Sequence, residues 1–214
     1  MLVLGLTGGI ACGKSTISLT LHELGAVIVD GDVLSRELTA EGGAALPAIK
    51  KAFGDGVFHP DGTLDRRALG ALVFADDHAR AALDGIMQPM LREMILRGID
   101  DARKGGASAC VLDMPLLFEK GLDSLCERIW CAYIPRKTQL ERLMDRDGFS
   151  LEEAEARLRS QLPAEEKAAR ADVVIDTSGT IQYTKECVTA LFAKEVGNLY
   201  GAQPEHPTAA QSPD

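Results

Sequence analysis

The stretch Gly8-Gly9-Ile10-Ala11-Cys12-Gly13-Lys14-Ser15 constrains the fold more than any other part of the chain. It matches G-x-x-x-x-G-K-[ST], and its flanks are those such a loop requires. Leu2-Val3-Leu4-Gly5-Leu6 is a short apolar run of the kind found in buried parallel strands. From Ser15 to Leu24, the residues Ile17, Leu21 and Leu24 recur at helical spacing, so a helix opens at the lysine. Glycines in such a turn let successive backbone N–H groups face a phosphate, and the new helix adds unpaired donors and the positive end of its dipole. Lys14 then reaches the β- and γ-phosphates, and the Ser15 hydroxyl is placed to hold Mg²⁺. The loop predicts a site for a nucleoside triphosphate.

A chain of 214 residues can bury a sizeable core. Its formal net charge of −9 argues against a nucleic-acid binder, since a phosphate backbone demands a basic face. Small polyanions stay possible, because a few cations and backbone amides can meet their charge locally. The Leu2–Leu6 run is too short for a signal peptide and lacks a basic flank, and no apolar run approaches about 20 residues, so no membrane contact is expected. The cysteines at 12, 110, 126, 131 and 187 lack C-x-x-C spacing and read as reduced, mostly buried thiols in a cytoplasmic protein.

Apolar runs at wide intervals, with helical patterns between them, predict a parallel sheet covered on both faces. The strands are expected at Leu2–Leu6, Ala26–Val29, Ala109–Asp113, Arg128–Tyr133 and Asp172–Ile175. The interval from Val33 to Ser108 is far longer than one crossover needs. It carries helical patterns at Ala44–Phe53, Asp65–Phe74 and from about Asp76 to Lys104, where Pro89 is expected to kink or divide the helix. This predicts one α/β domain over 1–200 with its core at 1–32, 109–134 and 172–200. A helical insertion spans 33–108, and a lid candidate spans 135–171. Ser150-Leu151-Glu152-Glu153 reads as a capping box, and Thr180–Val196 as a closing helix. The tail 201–214 has little to bury and is expected to be disordered.

Candidate chemistry clusters at the strand ends. Val29-Asp30-Gly31-Asp32 closes the second strand, ahead of a short helix at Val33–Leu38. Two carboxylates two apart on an extended strand share a face and can address the same crevice as the phosphate loop. Asp32 suits the acceptor-positioning base of phosphoryl transfer, and Asp30 suits indirect metal ordering; helix capping is the alternative for the pair. Asp113 ends an apolar strand as a Walker-B aspartate would, a further indirect metal candidate. The segment Met114–Glu119, with Leu116 and Glu119, either lines an acceptor pocket or packs the sheet edge. Gln139, Arg142 and Arg146 share one helix face, where the two arginines repel unless an anion such as a triphosphate arrives; Asp145 and Asp147 are expected to point elsewhere. Arg157, Arg159, Gln161 and Lys167 extend this candidate lid surface. Cys12 is either a thiol activated by the helix N-terminus or a small side chain tolerated in the turn.

Taken together, these residues resemble dephospho-CoA kinases. The likeness is carried by Leu6 to Ser15, Asp30-Gly31-Asp32 with Arg36, Phe53-Gly54, Asp61-Gly62-Thr63-Leu64-Asp65-Arg66, Val73-Phe74 and Asp113 to Glu119. It continues through Gln139, Arg142, Arg146, Arg157, Gln161, Lys167 and Ala171-Asp172, covering about residues 2–195. The resemblance implies a P-loop NTPase fold with a substrate-binding insertion and a lid. It also implies ATP-dependent phosphorylation of the ribose 3′-hydroxyl of dephospho-CoA with Mg²⁺, the last step of coenzyme A synthesis, by a monomer or weak homo-oligomer. By position, Ala11, Cys12, Gly13, Lys14, Ser15 and Thr16 would cradle the ATP phosphates. Asp32 would deprotonate the acceptor, and Arg142 and Arg146 would reach in from the lid. Arg36, Leu116 and Glu119 would join Asp32 in holding the acceptor.

Three positions depart from the family pattern. Ala11-Cys12 replaces the usual Gly-Ser, so residue 11 is expected to keep a backbone angle open to a side chain. Gln88-Pro89 stands where His-Pro is common, and Thr177 stands for Asn near the expected adenine pocket. Another small-molecule P-loop kinase, acting on a nucleoside, nucleotide or hydroxy acid, is the alternative. A GTP switch would need an Asn-Lys-x-Asp motif, and Asn198 is the chain's only asparagine.

Overall fold

The computed structural model describes residues 1–200, with side chains to Gly197; the tail 201–214 lies outside the described residues. In chain order the elements are β1 (Leu2–Gly8), α1 (Lys14–Glu23), β2 (Val27–Asp30), α2 (Gly31–Leu38), α3 (Leu46–Phe53), α4 (Arg66–Ala75) and α5 (Asp77–Lys104). There follow β3 (Ala109–Asp113), β4 (Arg128–Tyr133), α6 (Arg136–Asp147), α7 (Leu151–Arg159), α8 (Ala164–Arg170), β5 (Val173–Asp176) and α9 (Ile181–Tyr200). The strands form one parallel sheet in the order β2-β3-β1-β4-β5. This is the P-loop NTPase architecture, with β1 central and the phosphate loop at its carboxyl end.

Alternation along β1 divides the core in two. Leu2, Leu4 and Leu6 point to the face covered by α1, α8 and α9, where Trp130, Ile134 and Val188 are fully buried. Val3 points to the opposite face with Ile49, Ile95, Cys110 and Leu112, under α2 to α5. All seven residues of β1 are therefore buried, which explains its run of apolar and small residues.

Helix α5 passes Pro89 without dividing, so of the two outcomes expected there, kink or division, the division does not occur. A proline removes one amide and crowds the carbonyl four residues back, here that of Gly85. Both residues face solvent, so water can serve that carbonyl, while Leu91, Ile95 and Ile99 bury the other face of the helix. The capping box at Ser150 forms in both directions: Ser150 Oγ accepts from the Glu153 amide, and the Glu153 carboxylate accepts from the Ser150 amide. No described helix is long and apolar enough to cross a membrane.

Candidate active site

Residues Gly8 to Thr16 line one side of a cleft of about 890 Å³ at the carboxyl end of the sheet. Asp32, Pro115, Arg142, Asp145, Arg146, Gln161 and Thr177 also line it. Gly13 precedes α1 in the left-handed conformation, φ 73°. Ala11 lies there as well, φ 62°, and is the one non-glycine residue among the described residues with a positive φ. The expectation that a side chain at 11 would enforce an ordinary angle is overturned: the curl of the loop overrides the local preference. A left-handed alanine costs about 1–2 kcal/mol. Against this, glycine adds roughly 0.4–1 kcal/mol of unfolded-state entropy. Ala11→Gly is therefore expected to stabilise the protein by about 0.5–1 kcal/mol and raise Tm by ~1–4 °C. A lower melting temperature in that variant would show that the loop relaxes without strain.

Two long-range hydrogen bonds fix the loop. Thr177 Oγ1 donates to the Cys12 carbonyl at 2.7 Å, and Gln139 Nε2 donates to the Ile10 carbonyl at 2.6 Å. Both donors are buried. The Thr177 hydroxyl thus supports the phosphate loop rather than waiting for a base, and Gln139 braces the same loop instead of reaching for a triphosphate. A side chain on Gly9 would overlap Gln139 Nε2. Cys12 is buried at 1% exposure in the core, and burial, the main cause, holds its thiol above its ordinary pKa. That is a packed side chain, not an activated nucleophile.

Lys14 pairs with Asp113, whose side chain is 5% exposed, so in this state the loop lysine rests on the Walker-B-like carboxylate. An incoming phosphate competes for the same ammonium. Ser15 is exposed on the first turn of α1 and lines the cleft.

The acidic pair at the end of β2 divides its roles differently from expectation. Asp30 Oδ1 accepts from the amides of Asp32 at 2.8 Å and Val33 at 3.0 Å, capping α2. The helix thus begins at Gly31, two residues earlier than the sequence suggested, and Asp32 sits in its first turn rather than on the strand. Asp30 does not line the cleft; its metal-ordering role gives way to capping. A side chain on Gly31 would overlap Met114 Sδ, so a larger residue here would displace the Met114 side chain. Asp32 lines the cleft and also a second cavity, of about 320 Å³, between α2, α4 and α5. Partial burial, the largest cause, pushes its carboxyl above the usual range. Lys14 pulls in the opposite direction, and Asp30 adds to the rise.

On α6, Arg142 Nη2 donates to the Thr177 carbonyl at 2.8 Å. Arg146 forks onto Asp147 through Nε and Nη2, both at 2.8 Å, which holds the Asp147 carboxyl below its ordinary pKa. Asp147 therefore does not point away, and neither does Asp145, which lines the cleft beside the two arginines. Side chains adjacent in sequence meet here because both lie at the exposed end of the helix.

The family model for CoaE, dephospho-CoA kinase, matches residues 2–183, most of the chain. This chain belongs to the dephospho-CoA kinase family. The Geobacter sulfurreducens dephospho-CoA kinase is 44% identical over 194 residues, covering 91% of this chain and 98% of that protein. The Bacillus cereus dephospho-CoA kinase is 48% identical over 183 residues, covering 86% and 92%. The solved structure of the Campylobacter jejuni dephospho-CoA kinase superposes with a TM-score of 0.69 at 30% identity, covering 92% of this chain and 98% of that one.

In this dephospho-CoA kinase family member, Leu116 lines the second cavity, but Arg36 lines neither space and is exposed. Glu119 is also absent from both linings. Its Oε1 instead accepts from Lys167 Nζ at 2.8 Å and from the Leu162 amide at 3.0 Å. Lys167 is fully buried and also donates to the Pro115 carbonyl at 2.5 Å. The expectation of a substrate-facing Glu119 and a surface Lys167 gives way to an internal strut of the kinase. It joins the β3 loop to the base of α8. Arg157 stacks over the Phe149 ring at 4.2 Å, and Arg159 pairs with Glu155 at 3.2 Å. Gln161 is the one residue of that group on the cleft lining. The partners of Gln139, Glu119 and Thr177 were invisible in the sequence because they lie 43 to 165 positions away.

Proposed function

We propose that this kinase transfers the γ-phosphoryl group of ATP to the ribose 3′-hydroxyl of dephospho-CoA, giving coenzyme A and ADP. The observation that carries this reading is Asp32, which borders both the phosphate-loop cleft and the second cavity. A nucleotide gripped by Ala11 to Thr16 presents its terminal phosphate on one side of that carboxylate. An alcohol in the second cavity presents its hydroxyl on the other. Asp32 accepts the proton as the oxygen attacks, and its raised pKa brings it nearer the working pH of a base. Lys14, released from Asp113, follows the charge on the transferring group, and Arg142 and Arg146 face the same cleft.

Mg²⁺ would neutralise and orient the β- and γ-phosphates. Ser15, exposed and on the cleft lining, is the protein residue suited to hold it; Asp113, off that lining and paired with Lys14, could act on it only indirectly. The insertion 33–108 supplies the walls of the acceptor cavity and segment 135–171 acts as a lid. The setting is the cytoplasm, where the five free thiols stay reduced.

The test is a coupled assay with dephospho-CoA, ATP and Mg²⁺. The product is expected to gain the mass of one phosphate, with ADP formed in equal amount. Phosphorylation of a nucleoside or hydroxy acid, with none of dephospho-CoA, would reverse the choice of acceptor.

A further inference from the structure

The cavity beyond Asp32 holds two cations, Arg66 and Lys120, and they differ in what surrounds them. Lys120 Nζ lies 2.5 Å from Asp84 Oδ1, so its charge is matched within the cavity wall. Arg66, at the first position of α4, has no carboxylate within ion-pair distance among the described residues. Its Nη2 donates instead to the carbonyls of Arg36 and Thr39, both at 3.3 Å, at the carboxyl end of α2. Carbonyls orient a guanidinium without neutralising it. Nε and Nη1 make no hydrogen bond among the described residues, and each can donate singly to a phosphate oxygen; both two-toothed edges of the guanidinium include Nη2, which the carbonyls occupy.

The same cavity is otherwise walled by Leu64, Leu69, Val73, Leu83, Met87 and Leu116, which lower the local dielectric. Its remaining unmatched charge is the Asp32 carboxylate, which repels any anionic acceptor. In a chain of net charge −9, an acceptor carrying phosphates needs a local cation to enter. Arg66 is held in place, charged and open to the cavity.

Resting on the acceptor assigned above, we propose that Arg66 binds the diphosphate of the acceptor and sets the preference for a diphosphate-bearing alcohol over a bare nucleoside. Arg36, the arginine singled out by the sequence, contributes its backbone carbonyl to hold Arg66 rather than its own side chain. The proposal adds a specificity residue to a cavity whose other charged groups, the Lys120–Asp84 pair and Asp32, are already paired or catalytic.

Steady-state kinetics of wild type, Arg66→Met and Arg66→Lys, with dephospho-CoA or adenosine as acceptor, test this. A lost charge-assisted contact predicts that Arg66→Met raises the KM for dephospho-CoA by about 10–100-fold. The KM for ATP is expected to stay within about twofold, and the preference over adenosine to fall by about the same factor as the acceptor KM rises. Arg66→Lys, which keeps the charge but not the planar guanidinium anchored on the α2 carbonyls, falls between the two. It also decides the matter should loss of the α2 contacts prevent Arg66→Met from folding. An unchanged acceptor preference in the folded variants, or an equal loss with both acceptors, overturns the role of Arg66 while leaving the acceptor assignment standing. Failure of the wild type to phosphorylate dephospho-CoA overturns both.

Discussion

Asp32→Ala is expected to bind ATP as the wild type does while transferring phosphate to dephospho-CoA about 10²–10⁴-fold more slowly, the range for a lost general base. In the proposed mechanism the nucleotide contacts run through Ala11 to Thr16 and do not depend on residue 32, whereas the acceptor hydroxyl would lose the group assigned to orient it and take its proton. Partial burial, followed by Lys14 with opposite sign and Asp30, leaves the Asp32 carboxyl above its ordinary pKa. The base works only when ionised, so activity should fall as pH drops through that raised value, above the usual carboxylate range near ~3.9. The measurements are nucleotide affinity by titration calorimetry and the pH profile of kcat/KM. Turnover near the wild-type rate would remove Asp32 from the mechanism.

The second large effect concerns stability. Lys167→Met leaves Glu119 facing an apolar neighbour, with its Oε2 already lacking a partner. Breaking a buried pair from one side costs about 3–5 kcal/mol, enough to lower Tm by roughly 6–20 °C in a chain of this size. The double variant Lys167→Met/Glu119→Gln removes the stranded charge and keeps an acceptor for the Leu162 amide, so it should recover much of the loss. Thermal melts of the three proteins decide this. A single variant melting within about 2 °C of wild type would mean that water reaches the strut.

These results separate what a local pattern carries from what it does not. The phosphate loop was readable because strand, glycines and helix follow one another within some twenty residues, and each has its own periodicity or backbone signature. The five strands emerged for the same reason, with ends displaced by one or two residues. Asp32 was found, but on the wrong element, because the Asp30 side chain starts α2 before the alternation of β2 has run out. Pro89 does not divide α5, since packing around Ile95 and Ile99 outweighs one missing amide. Glu119, Lys167, Gln139 and Thr177 meet partners brought close only by the completed sheet. Charge and position in the sequence said nothing of their burial. Arg66 passed as one letter of a family motif until the cavity showed which cations were matched.

Helix α6 is held to the core at Ile10 by Gln139 and at Thr177 by Arg142. It cannot swing outward as a rigid body without giving up both contacts. In a lid that closes as proposed, movement over a bound nucleotide would fall to the chain beyond Gly148, a left-handed joint at φ 70°, and to the nine residues of α7 that follow it. The two arginines would then stand on the stationary side of that joint, with only the cover above them travelling.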